Sequence, residues 1–537
     1  MVVHSFGMQW HDFKEVGVGF HLDATYADGH GTVTNWELSI APRRTYHGKT
    51  VQDMIDTLEE IKEEFDLKVY SEHKIDRMVI YTDNIFKIKG FFSKYITESF
   101  SDLSITLCDF FDFRPIARWA DVHSAMDIAR AAQVLIDTIF IPEKYFFLTP
   151  NQVPRKCISR ACDSPLAAQI YPSSYFEYKL FRKALFGGIV YVPYKNLVVT
   201  DPLICLDLTS AYIYDLIVEK HCSSKFVEDD VDHWEYYLDS THKTSIGSYV
   251  IEYDCVSNKI SSFKDVMGKK FEKGEQKVSA VLTSVDLKTL MDMAHISSIK
   301  CMWLYACDID YLPRYVVDEV VRQYIKKVDL KGDKEAYDLQ KSVVNGIFGD
   351  CIRIFDSEKD FESARKHPAM APQWGIWCTS YAKKNLLKLA SKVEGWVYSD
   401  TDSIYCFDNA HNRAALEEYN NEVRSKVKEF CELFEYDYEK LKDLGTFKIE
   451  KKIKKFKALA QKVYMYTTDD DKFHLTAAGL DQSSIQVDES LYDRRTLPVG
   501  SRTFRHVSDG DYYEDCRKGI ANVVTTTKIA KTCKQQY

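Results

Sequence analysis

Tyr398-Ser399-Asp400-Thr401-Asp402-Ser403 sets two carboxylates two positions apart inside an apolar stretch. Trp396 and Val397 lead into it, and Ile404, Tyr405, Cys406 and Phe407 follow. Apolar, β-prone flanks around a short polar centre predict a strand-turn-strand hairpin with the acids at its tip. In extended or turn backbone, residues i and i+2 can face one side. Two neighbouring carboxylates repel unless a cation neutralises them. Ligands made of oxygen alone favour Mg²⁺ or Mn²⁺ over zinc. A bare Asp-x-Asp is more often a polar surface turn, so the pair needs company before it means chemistry.

Two other segments supply company. Leu203-Ile204-Cys205-Leu206 reads as an apolar strand ending in Asp207, and Leu208-Thr209-Ser210 leads into a helix from about Ala211. An acid between a strand end and a helix start is well placed for a metal–phosphate ligand, though such an Asp commonly just caps the helix. Further on, Lys341, Asn345 and Phe348 recur at i, i+4 and i+7 of a helical segment ending in Gly349. That puts a cation, an amide and an aromatic ring on one face, able to grip a triphosphate and stack on a base. The plainer alternative is a solvated Lys and a helix-ending Asn-Gly pair.

In this order the three segments resemble the family B DNA polymerases. Asp207-Leu-Thr-Ser210-Ala-Tyr212 resembles the first palm motif, Lys341 to Gly349 the fingers motif, and Tyr398 to Ser403 the second palm motif. The likeness extends to the protein-primed subgroup. Lys462-Val-Tyr464 resembles its Lys-x-Tyr motif at the start of the thumb, after Leu444-Gly445 and a run containing Lys448, Lys451, Lys452, Lys454, Lys455 and Lys457. Phe186-Gly187-Gly188 resembles the Tyr-x-Gly-Gly link, with Leu185 where Tyr is expected. Thr379-Ser-Tyr-Ala382-Lys383 resembles a template-strand motif that normally ends in Arg. The stretch between Gln276 and Asp310 fits the insertion that holds terminal protein and primer, whereas the stretch before Trp374 is shorter than the subgroup's second insertion.

The resemblance implies an α+β right-hand polymerase of palm, fingers and thumb, preceded by an RNase H-like exonuclease-type α/β domain. Its divisions would be a degenerate exonuclease-like domain over 1–140, then a linker and first part of the palm over 141–224. Palm continuation with the first insertion would cover 225–312, fingers 313–350, palm with the second motif 351–464, and thumb with a C-terminal extension 465–537. Pattern agrees locally. Val51, Met54, Ile55, Leu58, Ile61 and Phe65 have helical spacing. Arg77 to Tyr81 reads as a strand, Met126 to Ile139 as a helix, and Pro142, Pro150 and Pro154 punctuate a boundary near 141. From Pro313, Val316, Val317, Val320, Val321, Tyr324 and Ile325 mark one helix face. Lys331-Gly332 turns the chain, and a second helix runs from about Lys334, with Ala336, Leu339, Val343, Val344 and Ile347 inward.

The exonuclease motifs of the family are incomplete. No Asp-x-Glu occurs in the first 100 residues. Tyr81-Thr-Asp83-Asn84-Ile-Phe86-Lys87-Ile88 resembles the second motif, with Ile88 at the metal-binding Asp position. Asp127 to Ala131 falls at the third, with Ala131 in place of Asp. A site without its carboxylates cannot hold two divalent cations, so proofreading is expected to be lost; a site rebuilt from Asp23 or Asp83 is the alternative.

What the resemblance implies for mechanism is two-metal nucleotidyl transfer. Asp207 and Asp402 would bridge two Mg²⁺ ions, with Mn²⁺ able to substitute, the Leu208 carbonyl assisting and Asp400 supporting. Ser210 belongs to the same nucleotide-binding motif. Lys341 and Lys326 would bind phosphates, Tyr212 would stack under the sugar and exclude a 2′-hydroxyl, and Asn345 and Phe348 would shape the nascent pair. Lys462 and Tyr464 would hold the primer end, while Gly187, Gly188, Thr379, Lys383, Lys451, Lys452, Lys454 and Lys455 would contact DNA. The implied partners are primer–template DNA, deoxynucleotides and a terminal protein primer, with the enzyme a monomeric subunit in the cytoplasm of a host cell.

Composition limits the alternatives. The chain has 537 residues, 71 Lys plus Arg against 80 Asp plus Glu, and a net charge of −9. That argues against nucleic-acid binding by bulk basicity but allows a basic groove. No apolar run spans a membrane and no secretory leader is evident. The 14 Cys form no C-x-x-C pair and read as buried thiols of a reducing compartment. His47-Gly48-Lys49-Thr50 is not a P-loop, because Arg43 stands where its first Gly belongs. Two other functions compete. A non-catalytic DNA-binding scaffold would have lost Asp207, Asp400 and Asp402. A glycosyltransferase using its Asp-x-Asp would leave the fingers motif and Lys462-Val-Tyr464 without a role.

Overall fold

A computed structural model describes residues 2–4, 13–27, 30–40, 44–67, 69–71, 74–75, 77–82, 108–112, 124–130, 166–256, 277–366, 368, 370–478, 480–481, 487–497 and 502–503. The chain divides into two compact units. One comprises Met1–Pro154, Lys326–Gly346 and Arg505–Thr526, and the other the remainder.

Among its described residues the first unit holds a six-stranded sheet and the two-stranded pair Val69–Ser71 with Lys74–Ile75. Strands Phe13–Ala27, His30–Ile40 and Arg44–Gly48 form an antiparallel meander. Arg77–Thr82 then adds parallel to Phe13–Ala27, and Cys108–Asp112 adds parallel to Arg77–Thr82. The helix between the meander and the parallel strands, Val51–Glu64, starts at a capping box in which Thr50 and Asp53 satisfy each other's backbone N–H. Its Met54, Ile55, Leu58 and Ile61 form the expected apolar stripe, buried with Val18, Phe20, Trp36, Leu38, Met78 and Ile80. Residues 125–130 are helical and cross the sheet at Gly19, where a Cβ would lie 2.1 Å from the Ala125 carbonyl oxygen. Asp83, Asn84, Ile88, Ala131 and the boundary expected near 141 lie outside the described residues.

The second unit holds an eight-stranded sheet. Across it run Phe473–Ala477, Val463–Thr468, Phe447–Ala460, Leu203–Leu208, Ser403–Phe407, Tyr398–Thr401 and Ile189–Tyr191, with Val198–Val199 pairing beside Phe447–Ala460. Leu203, Cys205, Tyr398, Tyr405, Ile453, Phe456 and Tyr464 bury one face, as the period-2 alternation of strands requires. Helix Pro372–Ala390, with Pro at its start, buries nearly its whole circumference, including Trp374 and Trp377. Residues expected to form the first insertion fold as strand Lys277–Thr283, helix Ser284–Met293 and strand Ala294–Asp310, paired with the long strand Lys243–Val256. The short stretch before Trp374 contains the helix Glu358–Lys366, anchored by Phe361 among Tyr171, Tyr178 and Phe355.

Helix Arg314–Asp329, the turn Leu330–Gly332 and helix Lys334–Cys351 follow in the order expected for a hairpin. The division between the units falls within both helices. Cys205, Cys222, Cys301, Cys307, Cys351, Cys378, Cys406 and Cys431 are free and buried. No described helix is long and apolar enough to cross a membrane.

Candidate active site

Strand pairing brings the two acid-bearing segments into one sheet. Asp207 sits opposite Ser403 on the adjacent strand, and Ser403 sits opposite Asp400 on the next. Residues directly opposite share a sheet face, so Asp207, Ser403 and Asp400 form a row across three strands. Between the last two the chain reverses tightly. Thr401 adopts φ +65°, and the Asp402 N–H donates to the Asp400 carbonyl at 2.8 Å. The Leu208 N–H then donates to the Asp402 carbonyl at 2.9 Å. That bond ties Asp402 to the residue after Asp207.

The chain leaves Leu208 through a second fixed turn. The Thr209 N–H donates to the Thr446 carbonyl and the Gly445 N–H to the Thr209 carbonyl, both at 2.9 Å. Ser210 is left-handed at φ +53°, and its side chain makes no cap bond to the helix Ala211–Ile217 that follows. Gly445 has φ +75°, and a Cβ there would stand 2.3 Å from the Tyr214 ring, so only glycine fits. Within the helix, Tyr212 lies flat on Phe348, ring centroids 4.0 Å apart and planes 5° apart. Burial, then the Cys378 thiol and the Asp402 carboxylate, push the Tyr212 hydroxyl above its usual range. Asp402 therefore lies within electrostatic reach of the Tyr212 hydroxyl.

Among the described residues no group of three or more His, Cys, Asp and Glu stands in metal-holding geometry. Asp207 and Asp402, with backbone carbonyls near them, are an all-oxygen set. Mg²⁺ is bound in this way, through one or two carboxylates with waters and substrate phosphates completing its shell. The donor chemistry fits.

A second cluster forms around Asp400. The Lys462 ammonium lies 3.2 Å from its Oδ1, and the Thr401 hydroxyl donates to the same oxygen at 3.1 Å. Lys462 sits in a tight turn at φ +58°, and its N–H donates to the Tyr398 hydroxyl at 3.1 Å. Gln461 donates to the Val190 carbonyl at 3.2 Å. Gly187 is exposed, while Gly188 abuts the acid turn: a Cβ there would meet Thr401 Cγ2 at 2.6 Å. The sequence motifs single out Gly187, Gly188, Thr401 and Lys462 but give no signal for Gln461, whose partner Val190 lies far away in the chain.

Several residues expected at the DNA are instead in the core. Lys383 is paired with Asp286 at 2.8 Å, lies 4.5 Å from the centre of the Phe186 ring, and its side chain is 2% exposed. Thr379 is buried and donates to the Ile376 carbonyl at 2.8 Å. The reason is the all-round burial of their helix. Tyr464 falls on the core face of its strand and accepts a hydrogen bond from the Tyr405 hydroxyl at 3.3 Å.

The lysine run is largely matched by acids. Lys448 pairs with Asp443 at 2.6 Å, Lys451 with Glu450 at 2.7 Å, Lys454 with Asp471, and Lys455 with Glu489 at 3.9 Å. Exposed pairs of this kind are worth at most about 1 kcal/mol, so a phosphate can replace the acid. Lys452 is exposed. Lys457 is buried and donates to the Tyr492 and Arg494 carbonyls at 2.7 and 2.9 Å. Lys326, Lys341 and Asn345 belong to the first unit, where Lys341 and Asn345 are exposed on one helix face and Lys326 is half-buried.

No protein-family model and no curated protein matches this sequence. Solved structures do. Phi29 DNA polymerase complexed with primer–template DNA matches with a TM-score of 0.58 and 12% identity, over 91% of this chain and 96% of that one. Its complex with primer–template DNA and incoming nucleotides matches with a TM-score of 0.57 and 12% identity, over 92% and 96%. Its complex with single-stranded DNA gives 0.57 and 13%, over 90% and 95%. The chain shares its fold with phi29 DNA polymerase over most of its length, the fold expected from the family B resemblance.

Proposed function

We propose that the protein is a DNA-directed DNA polymerase that copies a viral or linear-plasmid genome in the host cytoplasm. The observation that carries this reading is the bond from Leu208 N–H to the Asp402 carbonyl, which joins the two acid motifs beside the Tyr212–Phe348 stack. The shared fold supports it.

Asp207, Asp402 and the Leu208 carbonyl would hold two Mg²⁺ ions. When bound, these neutralise the triphosphate and leaving pyrophosphate and lower the pKa of the attacking hydroxyl. The protein's own part is positioning. The Tyr212–Phe348 stack closes the base and sugar site until a nucleotide parts it, after which Tyr212 underlies the sugar and excludes a 2′-hydroxyl. Lys341 and Lys326 take triphosphate charge, Asn345 borders the nascent pair, and Lys462 meets the primer strand. Primer–template backbone lies along Lys451, Lys452, Lys454 and Lys455, making affinity salt-dependent.

The reading includes a nuclease-like domain without nuclease chemistry. Its meander followed by two parallel strands suits the RNase H-like order. The first nucleotide would be joined to a hydroxyl of a terminal protein. Primer extension with Mg²⁺ tests these parts together. Elongation with deoxynucleotides, and no primer shortening without them, is the expected result. Primer shortening by pure wild-type protein would overturn the loss of proofreading. Incorporation onto a candidate terminal protein without any DNA primer would establish protein priming.

A further inference from the structure

Asp400 and Asp402 belong to one turn, yet their surroundings differ. Asp402 is tied through its carbonyl to Leu208, beside Asp207. Asp400 stands two strands from Asp207, with Ser403 between them. Two strand spacings are roughly 9–10 Å at the backbone, whereas oxygens sharing one Mg²⁺ each lie about 2.1 Å from it. Asp400 Oδ1 already receives the Lys462 ammonium at 3.2 Å and the Thr401 hydroxyl at 3.1 Å.

The Lys462 end is just as constrained. Its backbone is left-handed and held by the Tyr398 hydroxyl, and the Ala478 N–H donates to its carbonyl at 2.9 Å. The Lys462 side chain is 51% exposed and that of Asp400 19%, so the pair opens to solvent on the lysine side. A lysine on a fixed turn, steered by an acid behind it and open in front, is preorganised for an anion. Preorganisation lowers the ordering cost of the contact that follows.

We infer that Asp400 is a positioning residue: it aims the Lys462 ammonium at a phosphodiester of the primer strand, and it does not hold the divalent ions. This rests on the polymerase reading. It divides the acid turn into a metal-holding half, Asp402, and a lysine-holding half, Asp400.

The test compares Asp400→Asn, Asp402→Asn, Lys462→Met, Lys462→Arg and the double variant Asp400→Asn/Lys462→Met, each checked for a wild-type melting profile. Mn²⁺ binding is titrated by the electron paramagnetic resonance of the free ion, which needs no activity. Asp400→Asn is expected to keep Mn²⁺ affinity within about twofold, and Asp402→Asn to lose at least about tenfold, the range expected for loss of one charged ligand. Single-turnover incorporation is then measured at saturating primer–template and nucleotide. Asp400→Asn and Lys462→Met should each slow it about tenfold, the double variant should match Lys462→Met within about twofold, and Lys462→Arg should recover part of the rate. An Mn²⁺ loss in Asp400→Asn equal to that of Asp402→Asn overturns the inference. So do losses that multiply in the double variant. Either pattern in an enzyme whose wild type extends primers leaves the polymerase reading standing. A wild type that extends no primer sinks both.

Discussion

The Lys383 ammonium lies 2.8 Å from the Asp286 carboxylate, and the two side chains are 2% and 1% exposed. The Ser380 hydroxyl donates to the other carboxylate oxygen at 2.9 Å, and Asp286 begins helix Ser284–Met293 over a Thr283 cap. The pair therefore fastens helix Ser284–Met293 to the helix Pro372–Ala390. Removing one partner of a buried pair leaves an uncompensated charge and costs about 3–5 kcal/mol. Lys383→Met and Asp286→Asn should each destabilise by that order, and the double variant by less than their sum. Unfolding followed by the fluorescence of the nearby buried Trp377 measures this. Equal stability of Lys383→Met and wild type would contradict it.

The flat stack of Tyr212 on Phe348 predicts a split between its partners. Tyr212→Ala should relax rejection of ribonucleotides by at least about tenfold, as expected when steric discrimination of a few kcal/mol is lost. Phe348→Ala should mainly raise the KM for deoxynucleotides. Single-nucleotide incorporation with paired ribo- and deoxynucleotides reads both effects.

Asp215, on the same helix as Tyr212, is fully buried; its Oδ1 accepts from the Asn385 amide at 2.7 Å, and its Oδ2 has no hydrogen-bond partner among the described residues. Burial, then the Glu219 charge, pushes its carboxyl well above the usual 3.8, against the pull of Asn385, Lys384 and Lys426. A folded-state pKa raised in this way gives stability that is complete below 3.8 and is lost as pH rises toward the raised value. Asp215→Asn should therefore match wild type near pH 4 and grow more stable than it toward neutral pH, by about 1.4 kcal/mol per pH unit within that window. Denaturant unfolding at several pH values checks the sign. A gap that shrinks with pH would refute it.

Two lysines of one strand should behave in opposite ways. Lys457, bonded to the Tyr492 and Arg494 carbonyls, holds residues 487–497 against the sheet. Lys457→Met should cost about 1–3 kcal/mol of stability and leave the salt dependence of DNA binding unchanged. Lys452→Ala should leave stability unchanged and flatten the slope of log K against log salt by about 1. Anisotropy with labelled primer–template over a salt series separates them.

These cases mark what the sequence makes legible. The helix Val51–Glu64, the strand ending beyond Asp207 and the hairpin around Asp400 and Asp402 follow from local periodicity and turn chemistry, which act over a few residues. The meander of Phe13–Ala27 with His30–Ile40 was not anticipated, because alternation is interrupted by Gly17, Gly19 and polar residues. Lys383 looks like a surface charge because its partner Asp286 lies far away in sequence. Lys457 looks like one more member of a basic run, and its burial depends on Tyr492 and Arg494 arriving over the sheet from the C-terminal side. Long-range pairing of polar groups has no local signature.

The most direct measurement of the central claim is single-turnover incorporation of one deoxynucleotide on a primer–template with Mg²⁺, for wild type, Asp207→Ala and Asp402→Ala, beside their DNA affinities. The polymerase account predicts incorporation by wild type and a loss of at least about a thousandfold in both variants, with primer–template still bound. DNA binding by wild type without incorporation under any divalent ion, or extension that survives Asp402→Ala, would contradict it.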